Sequence, residues 1–216
     1  MTDNRYVAVE GVIGVGKTSL ARLLAERSQA RLVLEEVEEN PFLKDFYRDR
    51  AQYAFQTQMH FLFSRYQQQR SLRQMELFSE RMVADYLFQK DRIFASLNLS
   101  ERELALYDKM VGWLEMDVMK PDAVVYLQAG TETLLDRISR RGRPYERDID
   151  RGYLAALNEA YNHFFFHYVE SPLLVVNTDS IDFVNRPEDF EDLRRRILTH
   201  RDGTVYYQPI EPQGTS

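Results

Sequence analysis

The sequence predicts a single α/β domain in which a five-stranded parallel sheet is flanked by helices on both faces. Short apolar runs alternate along the chain with stretches of helical periodicity, the pattern of parallel strands joined by crossover helices. The 216 residues show no internal repeat and no break in composition that would mark a second domain. We therefore expect one domain over residues 1–201 and a C-terminal tail over residues 202–216.

The predicted strands are short and apolar, and each is followed by a glycine or a polar residue. They cover residues 6–10, 31–35, 82–84, 122–127 and 173–176. Their rows of Val, Leu and Ala are typical of strands that are buried on both faces. The tail from Asp202 contains two glycines and two prolines, and we expect little regular structure there.

Helices are predicted between these strands from apolar residues that recur at helical spacing. They cover residues 17–28, 52–72, 100–119, 131–141, 150–170 and 187–200, with a further helix start at residues 40–41. Pro41 and Pro187 suit the first turn of a helix. Ser100 and Glu103 have the spacing of a capping box, which marks a helix start.

The composition excludes several classes of protein. The chain has no cysteine, which excludes zinc fingers, thiol catalysis and a disulfide scaffold. Its net charge of −6 argues against a nucleic-acid binder. The N-terminus lacks a basic leader, and no run approaches the roughly 20 apolar residues needed to cross a bilayer. We expect a cytoplasmic protein without nucleic-acid or membrane partners.

Residues 11–18 read GVIGVGKT and match the phosphate-binding loop G-x-x-x-x-G-K-[ST] in full. The glycines allow backbone N–H groups to surround an anion, Lys17 can reach the terminal phosphates and Thr18 can bind magnesium. The residues expected to contact a bound nucleotide are Gly11, Gly14, Val15, Gly16, Lys17, Thr18 and Ser19. The strand before the loop and the helix after it support a P-loop NTPase-like fold. The loop alone does not separate kinases from GTPases or ATP-driven machines.

Glu35 ends the second predicted strand, at the edge of the sheet where ligands of α/β proteins gather. A carboxylate at this position can accept a proton from an acceptor hydroxyl as a general base. Three further acids, Glu36, Glu38 and Glu39, fit a solvated acidic turn better.

Residues 35–43, EEVEENPFL, followed by Phe46 and Tyr47, resemble the deoxynucleoside kinase family, which carries E-P-V at this point. The bacterial deoxyadenosine and deoxyguanosine kinases continue with a similar acidic N-P-F-L stretch, and the likeness extends from Tyr6 to about Ile197. The resemblance implies that Glu35 is the base that activates the nucleoside 5′-hydroxyl. Glu36 replaces the proline of the family motif.

Gln58 and Arg65 are seven residues apart, so they share one helix face about 10 Å apart. From this spacing alone, two solvent-facing side chains are the better interpretation. The family, however, places a tyrosine eleven residues before a base-reading glutamine and an arginine seven after it, and Tyr47, Gln58 and Arg65 reproduce both intervals. Gln56 fits neither interval. The resemblance also implies that Tyr47 contacts the sugar 3′-hydroxyl.

Asp85 follows the third predicted strand and is the candidate carboxylate for magnesium, together with Thr18. The family has a [DE]-R-S triplet here and an aspartate six residues later, which corresponds to Asp91 and implies a pair between Asp91 and Arg65. A competing triplet, residues 80–82, falls before the strand instead. The family arginine is replaced by Tyr86, and the cation that takes over its role is left open between Lys90 and Arg92.

The segment 137–151 carries six of the 23 arginines, in a chain with only five lysines. A loop of guanidiniums that closes over a phosphoryl group can neutralise its charge and exclude water, whereas the alternative is a solvated or nucleic-acid-binding loop. The segment resembles the family lid R-x-x-x-R-x-R-x-x-E at Arg137, Arg141, Arg143 and Glu146.

This likeness implies that Arg137 packs on the adenine of ATP, that Arg141 and Arg143 bind phosphates as catalytic residues, and that Glu146 reaches the 3′-hydroxyl. Asp182 and Phe183 resemble the adenine-contacting loop of the family.

The resemblance as a whole implies an ATP- and Mg²⁺-dependent deoxynucleoside 5′-kinase that favours purine deoxynucleosides and forms a homodimer. A nucleoside monophosphate kinase of the thymidylate kinase type is the alternative, although the predicted pocket is neutral or acidic at Glu35, Tyr47, Gln58 and Glu146. A GTPase-like switch requires an N-K-x-D segment, and the corresponding strand end reads Asn177-Thr178-Asp179.

Overall fold

The fold is an α/β sandwich with one central parallel sheet, seen in a computed structural model that describes residues 4–75, 81–147 and 149–208. The strands are β1 (Tyr6–Gly11), β2 (Arg31–Val33), β3 (Met82–Ala84), β4 (Ala123–Gln128), β5 (Leu173–Asn177) and β6 (Thr204–Tyr207). They lie in the order β2-β3-β1-β4-β5-β6, and every neighbouring pair is parallel. The structure thus confirms the predicted fold class and its five strands.

The sixth strand corrects the prediction of a five-stranded sheet and of a tail without regular structure. β6 extends the sheet at its edge, pairing with β5 from Leu173↔Thr204 to Val176↔Tyr207. Val205 and Tyr206 of this edge strand are exposed. Its anchor is Tyr207, whose hydroxyl donates to Asp192 at 2.7 Å.

Helices cover both faces of the sheet, and most begin within two residues of their predicted starts. They are α1 (Lys17–Ser28), α2 (Leu43–Arg48), α3 (Arg50–Met75), α4 (Lys90–Asn98), α5 (Glu101–Leu114), α6 (Thr131–Arg141), α7 (Arg151–Phe166) and α8 (Pro187–Thr199). The capping box predicted at Ser100 is present, since the Ser100 N–H donates to the Glu103 carboxylate at 2.9 Å. α5 and α7 end before their predicted ends, and α4 was not predicted.

The core of the domain lies on the two faces of β1, β4 and β5, whose apolar residues are almost completely buried. The chain places β2 and β3 on one side of β1 and then β4, β5 and β6 on the other side, so the strand order reverses at β1. Ligands of open α/β sheets bind in the crevice at the carboxyl ends of the strands near such a reversal. Within the described residues, no helix combines the length and the apolar character needed to cross a membrane.

Candidate active site

The phosphate-binding loop joins β1 to α1, as the sequence predicts. Gly14 and Gly16 have φ values of 87° and 108°, which an L side chain rarely adopts. A Cβ at Gly14 would lie 2.7 Å from Ile138 of α6, so glycine also allows α6 to pack on the loop. The Lys17 ammonium donates to the Gly11 and Val12 carbonyls at 2.6 and 3.3 Å, inside the curve of the loop.

The charge of Lys17 is destabilised in the ligand-free site. Burial lowers the pKa of its ammonium to about 8, and the nearby Lys90 contributes further. The negative charges of three carboxylates raise this pKa but do not compensate for burial: Glu10, Glu35 and Asp85. An anion bound in the loop would restore the lost solvation, which is what a nucleotide phosphate supplies.

Thr18 and Asp85 meet across the gap between α1 and the end of β3. The Thr18 hydroxyl donates to Asp85 Oδ2 at 2.6 Å, and Asp85 Oδ1 accepts the backbone N–H of Glu35 at 2.8 Å. A hydroxyl and a carboxylate are oxygen donors of the kind that Mg²⁺ binds beside substrate phosphates. These two residues therefore fit the predicted metal site. Glu80, of the competing triplet, lies outside the described residues.

Glu35 lies at the centre of a buried charged group that we call the Glu35 cluster: Glu35, Arg65, Lys90 and Asp91. Arg65 Nε donates to Glu35 Oε1 at 2.8 Å, and Lys90 Nζ donates to Oε2 at 2.6 Å. Burial alone would raise the pKa of the Glu35 carboxyl, but Arg65 and Lys90 outweigh it and hold this pKa well below its usual range. Glu35 is therefore ionised in the ligand-free site.

Arg65 and Asp91 form the ion pair that the resemblance implied. Asp91 also accepts the Tyr107 hydroxyl at 2.8 Å, and its backbone carbonyl accepts Nε2 of Gln58 at 2.8 Å. Asp91 is only 1% exposed and lies behind Arg65, so it orients the residues of the cavity wall rather than forming the wall itself.

A cavity of about 200 Å³ opens in front of the Glu35 cluster. Its wall includes Tyr47, Gln58 and Arg65, as well as Phe46, Phe61 and Phe94, whose rings suit a flat aromatic ligand. Gln56 is exposed on the outer side of α3. The structure thus brings together the three residues that the family intervals selected and leaves out the competitor.

Lys90 and Arg92, the two candidates for the cation that replaces the family arginine, lie in different surroundings. Lys90 begins α4 and is 3% exposed at the cavity wall. Arg92 pairs with Asp108 at 3.4 Å, with 65% of its side chain exposed. Tyr86, at the position of the family arginine, is fully buried against Gln69.

The arginine-rich segment is ordered around Glu146. α6 ends at Arg141, and the next residue, Gly142, has a φ of 69° that turns the chain toward Arg143. Arg141 forms an ion pair with Glu146, and Arg143 Nη1 lies 3.7 Å from the other oxygen of that carboxylate. Glu146 is 3% exposed and lines the cavity together with both arginines.

A second cavity of about 730 Å³ lies on the other side of the P-loop, between α6 and the segment after β5. Its wall includes Arg137, Asp182 and Phe183, all expected to contact the nucleotide base. Phe183 packs on the loop, because a Cβ at Gly16 would lie 3.2 Å from its ring. Arg137 donates to the carbonyls of Val15 and Thr178 at 3.1 and 2.7 Å, so it also joins the P-loop to the end of β5.

Four residues line both cavities: Lys17, Thr18, Arg141 and Arg143. The two cavities therefore meet at a wall of three cations and one hydroxyl. A donor phosphate in the larger cavity and an acceptor hydroxyl beside Glu35 in the smaller one would face each other across this wall.

Comparison with known proteins agrees with this geometry. The sequence model described as "Deoxynucleoside kinase" matches residues 7–201. The chain belongs to the deoxynucleoside kinase family. It is therefore a phosphotransferase that converts deoxynucleosides to monophosphates.

Relatives of this kinase match over most of its length. It is 38% identical to the deoxyguanosine kinase of Bacillus subtilis (strain 168), covering 93% of this chain and 97% of the relative. Identity with the deoxyadenosine kinase of Dictyostelium discoideum is 32%, with coverages of 97% and 84%. The solved deoxyadenosine kinase of M. mycoides with bound dATP superposes with a TM-score of 0.77 at 25% identity, covering 89% of this kinase and 98% of that chain.

Glu10, next to the P-loop, and Thr57 are among the residues in and around the site that were not predicted from the sequence. Glu10 is fully buried and accepts the backbone N–H groups of Gly11 at 2.9 Å and Leu87 at 2.7 Å and the Tyr161 hydroxyl at 3.1 Å. The signal that could have identified Glu10 is the presence of an acidic residue within an otherwise apolar predicted strand. Thr57 lines the smaller cavity, and its buried hydroxyl has no hydrogen-bond partner among the described residues. No spacing rule points to it.

Proposed function

We propose that this kinase transfers the γ-phosphoryl group of ATP to the 5′-hydroxyl of purine deoxynucleosides. The observation that carries the proposal is the wall of Lys17, Thr18, Arg141 and Arg143 between the two cavities. We place the nucleoside in the smaller cavity and ATP in the larger one. We expect the kinase to act in the cytoplasm, as the sequence predicts.

In this proposal, Glu35 removes the proton from the 5′-hydroxyl. The oxygen then attacks the γ-phosphorus, and the bond to the β-phosphate oxygen breaks to release ADP. Arg141 and Arg143 stabilise the charge on the moving phosphoryl group, a role that preorganised cations perform in a water-excluded site. Lys17 holds the terminal phosphates.

Thr18 and Asp85 would hold Mg²⁺, which supplies charge neutralisation at the phosphates when it is bound. The P-loop backbone from Gly11 to Ser19 and Lys17 would bind the phosphates. Arg137, Asp182 and Phe183 would contact the adenine from the wall of the larger cavity.

The nucleoside contacts follow from the wall of the smaller cavity. Gln58 Nε2 donates a hydrogen bond to the backbone carbonyl of Asp91. Its Oε1 is therefore left to accept a hydrogen bond from an amino group of a purine. Arg65 and Asp91 hold this edge of the cavity in place. Tyr47 and Glu146 would bind the sugar 3′-hydroxyl. The purine preference is supported by the relatives, which are named deoxyguanosine and deoxyadenosine kinases.

A product assay tests the proposal. The kinase is incubated with ATP, Mg²⁺ and each of the four deoxynucleosides, adenosine or deoxyadenosine monophosphate, and the products are separated by chromatography. We expect 5′-monophosphates, formed fastest from deoxyguanosine or deoxyadenosine. Turnover of the monophosphate and of none of the nucleosides would indicate a nucleoside monophosphate kinase instead.

We further propose a homodimer, which the family resemblance implies. α5 supports it with exposed apolar residues, since Leu106 and Trp113 are 50% and 73% exposed and lie on one face, two turns apart. Sedimentation of the purified kinase tests this state, and a mass of twice 25.6 kDa is expected.

A further inference from the structure

Lys90 is a buried cation at the reacting end of the smaller cavity. It is the first residue of α4, is 3% exposed and extends its ammonium to within 2.6 Å of Glu35 Oε2. Burying a lysine charge is costly unless an opposite charge compensates it. Glu35 is the carboxylate that does so here, and among the described residues it is the only side chain that accepts a hydrogen bond from the Lys90 ammonium.

The two cations on Glu35 are held with different strength. Arg65 binds Oε1 with two nitrogens and also pairs with Asp91, which is itself fixed by the Tyr107 hydroxyl. Removing Arg65 from Glu35 would break this whole arrangement. Lys90 has the single bond to Oε2 and four rotatable bonds of side chain, so it is the partner that can move.

Lys90 is also close to the phosphate site. Lys17, whose ammonium lies inside the curve of the P-loop, is a second lysine in the lining of the smaller cavity. Both ammonium groups line the smaller cavity together with Thr18 and Asp85. Two cations that repel each other in one cavity favour an anion bound between them. The anion that the proposed reaction brings to this place is the phosphoryl group in transfer.

We propose that Lys90 is a catalytic residue whose ammonium moves from Glu35 Oε2 to the phosphoryl group during transfer. This rests on the proposed function of the site. As the 5′-oxygen bonds to the γ-phosphorus and the bond to the β-phosphate oxygen breaks, the hydroxyl proton passes to Glu35. Lys90 remains protonated throughout and returns to Glu35 after the products leave.

The move has two consequences for catalysis. While Lys90 is bound to Oε2, Glu35 is a weak base, because both of its oxygens are neutralised. Departure of Lys90 makes the carboxylate more basic at the moment when it must accept a proton. The same departure brings a positive charge to the phosphoryl oxygens, where charge develops in the transition state.

The test compares Lys90→Met with Lys90→Arg and with Arg92→Met, an exposed cation on the same helix. We expect Lys90→Met to lower kcat by about 10²–10³-fold, the usual cost of losing one transition-state contact. The KM for deoxynucleoside and the Kd for ATP are expected to stay within about threefold, because the contact is absent from the ground state. Lys90→Arg should recover part of kcat, and Arg92→Met should match the wild type.

A transition-state mimic separates catalysis from positioning. ADP, Mg²⁺, aluminium fluoride and deoxynucleoside should form a tight complex with the wild type but not with Lys90→Met. Wild-type kcat in Lys90→Met, loss of binding of both substrates, or a tight fluoride complex despite low kcat would each overturn the proposal. Inactive wild type would instead refute the kinase assignment itself.

A crystal structure of the wild-type fluoride complex decides the question even if Lys90→Met does not fold. We expect Lys90 Nζ about 3 Å from a fluoride, the distance of a hydrogen bond, and away from Glu35. An ammonium still bound to Glu35 Oε2 in that complex would contradict the movement.

Discussion

Thr18 and Asp85 are in direct contact at the edge of the sheet, where the Thr18 hydroxyl donates to Asp85 Oδ2 at 2.6 Å. The other oxygen of Asp85 accepts the backbone N–H of Glu35 at 2.8 Å. The Asp85 carboxylate therefore connects the proposed metal site to the backbone of the proposed base. This contact links the end of β3, the start of α1 and the segment after β2.

Asp85→Asn should reduce turnover while it preserves the fold. The amide oxygen can still accept the Glu35 N–H, but the negative charge that attracts Mg²⁺ is lost. We expect kcat to fall by about 10²-fold or more, and the Mg²⁺ concentration for half-maximal activity to rise. A Mg²⁺ titration of the kinase assay measures both, with the exposed Asp136→Asn as control. An unchanged titration would remove Asp85 from the metal site.

Lys17→Met should abolish nucleotide binding and yet stabilise the ligand-free kinase at pH 7. Burial, aided by Lys90, lowers the pKa of Lys17 to about 8 from 10.5. Between these values the unfolded chain binds more protons than the folded one, so stability rises with pH in this window. The cost of the buried charge is complete below pH 8 and disappears toward pH 10.5.

Urea unfolding of wild type and Lys17→Met at pH 7, 8, 9 and 10 measures this difference. The advantage of the variant should be largest at pH 7 and shrink as the pH rises. A difference that is independent of pH would show that the Lys17 charge is not destabilised in the fold.

Glu10→Ala should be strongly destabilising, because Glu10 binds two backbone N–H groups where water has no access. Each unpaired buried group costs about 1–3 kcal/mol, so we expect the loss of two partners to lower the free energy of unfolding by about 2–6 kcal/mol. Tyr161→Phe removes one hydrogen bond to the same carboxylate and should cost about 1 kcal/mol. Equal losses in both variants, measured by urea unfolding, would contradict this account.

Arg141→Ala and Arg140→Ala provide a matched pair in the arginine-rich segment. Arg141 lines both cavities and pairs with the buried Glu146, whereas Arg140 lines only the larger cavity, is 78% exposed at its side chain and pairs with Asp136. We expect Arg141→Ala to lower kcat by about 10²–10³-fold, with little change for Arg140→Ala. Steady-state kinetics with saturating ATP measures both, and equal kcat values in the two variants would exclude a special role for Arg141.

Motif spacing located the parts of the site that lie close together in sequence. The P-loop follows from residues 11–18, and the resemblance to the deoxynucleoside kinase family, through its intervals, selected Tyr47, Gln58 and Arg65, which line the smaller cavity. Lys90 remained one of two candidates, because position along α4 does not reveal that Glu35 lies opposite it.

Long-range contacts explain what the sequence could not predict. The role of Glu10 depends on Leu87 and Tyr161, 77 and 151 residues away. Residues 204–207 read TVYY, which has β propensity, but the glycines and prolines of the tail predict little regular structure, and the pairing with β5 does not follow from the segment itself. The hydrogen-bond partners of a buried acid such as Glu10, and the neighbour of an edge strand such as β6, cannot be predicted from the residues next to them in the sequence.

The central claim is that Glu35 removes the proton from the 5′-hydroxyl, and the rate of phosphoryl transfer by Glu35→Gln tests it most directly. Glutamine keeps the shape but cannot accept the proton. The account predicts turnover about 10²–10⁴-fold below wild type, with deoxynucleoside binding retained and the exposed neighbour variant Glu36→Gln unaffected. Near-wild-type turnover in Glu35→Gln would contradict it.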